Sequence, residues 1–149
     1  MIDLKLTERK LRKIEEFLRE IEAQKAPGSY EAFSGDVVFK RFVERNIELA
    51  IEKMIDVCRH VVSGLDLREP ETYAECFEIL SESGALAEKE ADIFKSMVRY
   101  RNMMIHSYDG VDDGVTYGVY QKHLDDFRLF IRAIRNFLAS EKAAVGSRA

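Results

Sequence analysis

Helical spacing of the apolar residues is the feature that most constrains this chain, because no run of alternating β-branched residues with a hairpin turn accompanies it. The clearest case begins at Ser34-Gly35-Asp36 and ends at Gly64. The apolar residues of this segment fall on more than one side of the predicted helix: Val38, Phe42, Leu49, Ile51, Ile55, Cys58 and Val62. A helix of that kind contacts several neighbours at once and occupies the centre of a bundle. The predicted fold class is all-α.

Four further helices are predicted around the central one. They cover about 7–23, 70–84, 87–107 and 120–138, with a loop after Pro27-Gly28 and a solvated turn over 109–114. The chain is therefore predicted to form one domain, 1–149, built as an up-and-down four-helix bundle with one additional short helix. The tail, about 141–149, is predicted to fray.

Composition narrows the function classes. The formal net charge is −4, so the protein is not expected to coat nucleic acid through its whole field, and any RNA contact must be local. Cys58 and Cys76 lie 18 residues apart without a second pair, which favours reduced, buried thiols. No amino-terminal apolar core of a leader and no stretch of about 20 apolar residues appears, so we expect a cytoplasmic protein and no membrane contact.

The segment 94–108 carries the candidate chemistry. On an ideal helix an apolar stripe includes Arg101, and its other members are Phe94, Met97, Val98, Ile105 and Tyr108. A guanidinium in such a stripe must find a carboxylate, a carbonyl, a partner chain or a ligand. An ordinary ion pair would satisfy this need, and Tyr108 could simply complete the stripe.

Asn102 and His106 are four residues apart and share a second face, where the amide can orient the imidazole. Arg101 and His106 do not share one, because five steps of about 100° leave them about 140° apart. One helix can hardly aim both at a single atom. A lone histidine more often caps or packs, and His60 and His123 are interpreted as structural or solvated.

The pattern Arg101, four residues, His106, one residue, Tyr108 resembles the R-x-x-x-x-H-x-Y motif of HepT-type HEPN toxins, and Asn102 matches the polar residue that commonly follows the arginine. The segments 45–56 and 73–80 are similar to this family too, and the similarity spans roughly 39–138. Tyr100 departs from the phenylalanine of many relatives and leaves the motif intact.

The resemblance implies a metal-independent endoribonuclease that acts as the toxin of a toxin–antitoxin pair. It needs no metal and no cofactor, since RNA supplies its own nucleophile in the 2′-OH. His106 would accept and donate the proton, Arg101 would stabilise the phosphorane, and Asn102 would complete the site. The partner would be a minimal nucleotidyltransferase antitoxin that adenylylates Tyr108 with ATP. RNA is the expected substrate and DNA is not.

Three further interpretations bear on this hypothesis. Because Arg101 and His106 diverge on one helix, we expect a homodimer with a composite site at the two-fold axis. A non-catalytic HEPN bundle that serves as substrate-binding or scaffold partner of a nucleotidyltransferase remains the alternative, as does a dimeric helical interaction domain with no ligand. A pure scaffold needs neither Arg101 nor His106, which favours the nuclease. The acids Asp109, Asp112 and Asp113 lack EF-hand spacing and are interpreted as a solvated turn.

Overall fold

The computed structural model describes residues 1–107 and 110–148, and every regular element in that part of the chain is a helix. In chain order the helices are α1 (Leu4–Glu22), α2 (Tyr30–Gly35), α3 (Val37–Gly64), α4 (Tyr73–Glu82), α5 (Glu88–His106), α6 (Asp113–Lys122) and α7 (Leu124–Arg148). The predicted all-α bundle is confirmed. Within the same residues, no helix is both long enough and apolar enough to cross a membrane.

Helix α3 lies at the centre of the bundle, as predicted, and packs against α1, α2, α4, α5 and α6. Its buried residues are Val43, Glu44, Asn46, Ile47, Ala50, Ile51, Met54, Ile55, Val57, Cys58, Val61 and Val62. Each large apolar side chain buried in this way contributes roughly 1.5–3 kcal/mol. The buried amide of Asn46 is satisfied, because it donates to the carbonyl oxygen of Phe17 at 3.1 Å and to Glu20 at 2.9 Å.

The helix starts that polar residues predicted are capped in the structure. The Asp36 side chain accepts from the amide of Phe39, and the Thr72 side chain accepts from the amide of Glu75. Gly84 follows α4 with a φ of +87°, a left-handed conformation that favours glycine. Capping side chains and a glycine at a helix end act within a few residues, so the sequence alone can predict them.

Gly64 was predicted to stop α3 as the glycine favoured after a helix end, but its role in the structure is different. It is the last residue of α3, and the left-handed φ near this end, 56°, belongs to Asp66. A Cβ added at Gly64 would lie 2.8 Å from the side chain of Ile2. The glycine therefore admits the amino-terminal segment, which His60 also holds by accepting from the amide of Asp3 at 3.1 Å.

The predicted loop after Pro27-Gly28 contains the short helix α2, which the sequence did not indicate. The Ser29 side chain caps it by accepting from the amide of Ala32. Its buried Phe33 contacts the rings of three other aromatic residues, Phe39, Tyr117 and Tyr120. Six residues are too few for a detectable period, and the contacts that hold α2 are tertiary.

The predicted last helix is two helices, α6 and α7, which meet at His123. The His123 ring lies 2.9 Å from Asp126 in the first turn of α7. Helix α7 then continues to Arg148, whereas the tail was predicted to fray from Glu141. Good helix formers fill 141–144, so this segment has the intrinsic propensity to continue the helix.

The predicted solvated turn over 109–114 was wrong at its second half. Asp112 caps α6 by accepting from the amide of Gly114 at 2.7 Å. Asp113 accepts from the hydroxyl of Ser34 at 2.8 Å and from the ammonium of Lys40 at 3.1 Å. These contacts tie α6 to α2 and α3, and the Ser34 hydrogen bond followed by the Lys40 contact lowers the pKa of Asp113. Asp109 lies outside the described residues.

Both cysteines are buried and unbonded, as predicted. Burial, and secondarily the neighbouring Cys76, raises the pKa of the Cys58 thiol well above its ordinary value. The thiol is therefore held in its neutral, unreactive form.

We predict that Asp113→Asn destabilises the fold at neutral pH but not in acid. A carboxylate whose pKa is lowered on folding contributes stability above its unfolded pKa, and this contribution is lost as the pH falls through the lowered value. Urea titrations between about pH 7 and about pH 2.5 should show a wild-type advantage that fades with acidity. Asp92→Asn, at an exposed pair with Lys95, is the control and should change little. An advantage that is constant with pH would contradict the prediction.

Candidate active site

Arg101 lies where α5 leaves the core. The buried residues of this helix are Ala91, Phe94, Met97, Val98 and Tyr100, and none of the described residues after Tyr100 in α5 is buried. The Arg101 side chain, next in sequence, keeps 17% of its surface exposed. It thus occupies the edge of the bundle, with an apolar stem and a charged head.

The Arg101 guanidinium has a carboxylate partner, as its place in the stripe predicted. Its Nη2 lies 3.4 Å from Oε1 of Glu52 on α3, and its Nη1 lies 3.4 Å from Oδ1 of Asn102. The guanidinium carbon is 5.4 Å from the ring centroid of Tyr73, the first residue of α4. Both polar contacts are longer than the 2.7–2.9 Å typical of charge-assisted bonds, so the group is positioned without being saturated.

One donor of Arg101 is left over. Its Nε is buried and has no hydrogen-bond partner among the described residues. A buried donor without a partner costs free energy, and such a cost in a native protein calls for a functional reason. An anion bound by this guanidinium would supply one.

His106 is the last residue of α5, and its side chain is exposed. Asn102, one turn earlier, is also exposed, but no hydrogen bond joins the two side chains, so the predicted orienting bond is absent from this structure. Within 1–107 and 110–148, His106 makes no side-chain hydrogen bond at all. Its ring is therefore accessible to a substrate or to a second copy of the chain. Tyr108, the last residue of the motif, lies outside the described residues.

The predicted apolar stripe ends earlier than expected. Ile105 was placed on it with Arg101 but is 40% exposed, and Met103 is 39% exposed. The fully buried face of α5 stops at Tyr100, and in the last turn only Met104 still packs, partly buried, against the core. Two exposed apolar side chains therefore precede His106 at the surface.

Tyr100 belongs to the core rather than to the site. Its hydroxyl lies 2.8 Å from Oγ1 of the buried Thr116 on α6. Burial raises the pKa of Tyr100 to about 12. The residue immediately before Arg101 therefore anchors α5 while Arg101 itself faces the rim.

Sequence reasoning missed Glu52 and Tyr73 as contacts of Arg101. They come from other helices, and no local pattern marks them. Tyr73 and Asn102 also line a groove of about 400 Å³, whose other walls are Arg59, Pro70, Glu71 and Thr72. In the described parts of the chain, no three His, Cys, Asp or Glu side chains are grouped so that they could hold a metal ion.

Comparison with known proteins assigns the family. Residues 8–134 match the protein family described as Ribonuclease HepT-like. This chain belongs to that family. Membership confirms the predicted family and, with it, the predicted ribonuclease class.

Individual relatives agree with this assignment. The mRNA nuclease HepT of Shewanella oneidensis is 28% identical over 112 residues, which cover 75% of this chain and 84% of that protein. A rebuilt and re-refined structure described as tri-AMPylated Shewanella oneidensis HEPN toxin in complex with MNT antitoxin is 26% identical, with a TM-score of 0.81 and coverage of 91% of this chain and 99% of that one. The cytosolic protein YutE of Bacillus subtilis, at 24% identity, shares the fold with a TM-score of 0.80 over 94% of this chain and 93% of that one.

The buried Nε of Arg101, which has no hydrogen-bond partner among the described residues, leads to a prediction about the free energy of unfolding. Arg101→Met keeps the apolar stem, removes the buried Nε and leaves the half-exposed Glu52 hydrated. We expect the free energy of unfolding to rise by about 1 kcal/mol, because an unsatisfied buried donor costs about 1–3 kcal/mol and the loose contacts of Arg101 return less. Urea denaturation of the purified protein measures the change.

Arg135→Met is the matched control for this experiment. The guanidinium of Arg135 on α7 lies 2.7 Å from Glu8 and 2.8 Å from Glu15 on α1, so it is well paired. Its replacement should lower the stability. If both variants lose stability alike, Arg101 is an ordinary structural arginine.

Proposed function

We propose that this chain is a metal-independent endoribonuclease, the toxin of a toxin–antitoxin pair in the cytoplasm, whose active site combines Arg101, Asn102 and His106 from two copies. The observation that carries the proposal is the end of α5, where an incompletely paired guanidinium and an exposed imidazole lie within two turns of one helix. Membership in the HepT-like ribonucleases supports it.

The chemistry follows from the two groups. The 2′-oxygen of a ribose attacks the adjacent phosphorus, and a His106 ring accepts the hydroxyl proton. Arg101 donates to the non-bridging oxygens as negative charge develops on them. The same His106, now protonated, donates the proton to the departing 5′-oxygen, which leaves a 2′,3′-cyclic phosphate and a 5′-hydroxyl. Asn102, which lines the adjoining groove, contacts the same strand.

A second copy resolves the geometry. Arg101 and His106 project about 140° apart on α5, so one chain brings them to one phosphorus with difficulty. A two-fold axis near the end of α5 places the Arg101 of one copy opposite the His106 of the other. The exposed Met103 and Ile105, which both precede His106 in the last turn of α5, supply apolar surface for such an interface.

Cleavage of single-stranded RNA in EDTA tests the activity. We expect the wild-type protein to form cyclic phosphate ends without added metal, and His106→Ala to lose at least about 100-fold in rate, as expected for loss of a general acid–base group. His123→Ala, at an exposed histidine outside the site, should retain full activity. Activity that requires magnesium would refute the mechanism, and His106→Ala cleaving like wild type would show that His106 is not the acid–base group. Absence of cleavage by the wild-type protein would favour the scaffold alternative.

Mixing two inactive variants tests the composite site. Arg101→Ala and His106→Ala proteins are each expected to be inactive alone. When they are unfolded together and refolded, mixed dimers contain one intact Arg101 facing one intact His106, so part of the activity should return. If each chain held a complete site, no mixture could regain activity, and that result would overturn the dimer.

Control by a partner is the remaining part of the proposal. The Shewanella toxin is described as tri-AMPylated and in complex with MNT antitoxin. We extend this to the present chain: a nucleotidyltransferase antitoxin binds it, and the hydroxyl oxygen of Tyr108 attacks the α-phosphorus of ATP. Pyrophosphate leaves and the phenolic proton passes to water. The attached phosphate adds negative charge two residues from His106, where it competes with RNA for Arg101.

Intact-mass measurement tests the control point. Wild-type protein mixed with its nucleotidyltransferase and ATP should gain adenylyl groups and lose nuclease activity. Tyr108→Phe should gain none at this position and remain active, whereas Tyr30→Phe, at an exposed tyrosine in α2, should be modified and silenced like wild type. Equal addition to the Tyr108→Phe protein would show that another residue is the target.

A further inference from the structure

A second arginine lies beside the site. Arg59 of α3 is exposed, and its guanidinium carbon is 5.9 Å from the ring centroid of Tyr73. The same ring has the Arg101 guanidinium carbon at 5.4 Å. Two cations from two helices therefore share one aromatic ring, and their carbons are at most about 11 Å apart because each lies within 6 Å of one centroid.

Unlike Arg68 and Arg135, Arg59 has no carboxylate partner within the described chain. Arg68 is paired with Glu75 and Glu82, and Arg135 with Glu8 and Glu15. Among the described residues no acidic side chain forms an ion pair with Arg59. Its five donors are therefore available to a ligand, and a planar fork of this kind fits the oxygens of a phosphate.

The groove connects Arg59 to the catalytic helix. Arg59 and Asn102 line the same groove of about 400 Å³ with Tyr73 between α3 and α5. Glu52 and Arg59 are seven residues apart and so face the same side of α3 within about 20°. Glu52 contacts Arg101 and Arg59 lines the groove. A strand of RNA held at Arg101 can therefore run along α3 to Arg59.

We propose that Arg59 and Tyr73 form a subsite for the nucleotide next to the scissile phosphate, an inference that rests on the ribonuclease function proposed above. Arg59 binds the neighbouring phosphate of the RNA strand. The Tyr73 ring is a positioning group that holds the guanidinium planes of Arg59 and Arg101 by cation–π contact. Glu71 also lines the groove, and its negative charge disfavours a phosphate beside it and leaves that part of the groove to the base or sugar.

Substrate length tests the subsite. We compare a dinucleoside monophosphate, which has only the scissile phosphate, with a single-stranded RNA of about ten nucleotides. Arg59→Gln should raise the KM for the longer RNA about 5- to 20-fold and leave kcat/KM for the dinucleotide unchanged, which also shows that the variant is folded. The salt dependence of binding should weaken by about 0.7 in the log–log slope, as expected for one lost contact to a single strand.

Arg9→Gln is the matched control. Arg9 is also exposed and forms no ion pair within the described residues, but it lines a different groove with Lys5 and Arg12. The Arg9→Gln substitution removes the same charge and should leave KM and kcat/KM unchanged for both substrates. An equal loss for Arg9→Gln, or an Arg59→Gln effect of the same size on the dinucleotide, would overturn the subsite.

Variants of Tyr73 distinguish a role in positioning the two guanidinium groups from a general role in the stability of the fold. Tyr73→Phe keeps the ring and should behave like wild type, whereas Tyr73→Ala should lower kcat/KM for the longer RNA more than for the dinucleotide. If the alanine variant is impaired only through unfolding, its thermal midpoint falls and both substrates suffer equally, which contradicts the positioning role.

Binding without cleavage keeps this inference distinct from the proposed function. In the His106→Ala background, fluorescence anisotropy with labelled RNA measures affinity whether or not the wild-type protein cleaves. Weaker binding on adding Arg59→Gln, but not Arg9→Gln, supports the subsite even if no cleavage is found. Equal binding by all three proteins would refute it even if cleavage is confirmed.

Discussion

Burial of α3 on most of its sides is the constraint on which the rest of the molecule depends. Five other helices pack against it, and its twelve buried residues include two polar ones. Asn46 is accommodated because α1 supplies a carbonyl and a carboxylate to its amide. With the centre fixed in this way, each outer helix needs only one apolar face, and its other side is available for charge or chemistry.

The proposed active site lies where that packing ends. Helix α5 is anchored by Tyr100 through the hydroxyl of Thr116, and its next residue, Arg101, already reaches the rim. Glu52 is a partly exposed residue of α3, so the same helix that forms the core also contacts the guanidinium of Arg101. In the last turn of α5, His106 is exposed. In the proposed site, a rigid helix would therefore hold Arg101 and His106 while the rim of the bundle leaves room for a strand of RNA.

Most of the fold was predictable from local signals, and the exceptions are tertiary. The start of α3 was predictable at Asp36 because a cap acts within three residues. Helix α2 was missed because it depends on Phe33 meeting aromatic rings from α3 and α6. The motif identified Arg101 and His106, since their spacing is a property of the sequence. Arg59 carries no such mark, because only its approach to Tyr73, fourteen residues later, distinguishes it.

The net negative charge of the chain explains why RNA binding would depend on a few local cations. With a formal net charge of −4, the protein has no strong long-range attraction for RNA, so affinity must come from cations that are not already neutralised. Arg68 and Arg135 are each held by two carboxylates and contribute little. Beside Tyr73, the loosely paired Arg101 and Arg59, which forms no ion pair within the described chain, stay available. In the proposed mechanism RNA binding depends on these two guanidinium groups, so the phosphate of an adenylylated Tyr108 would compete with RNA for them without any change in the fold.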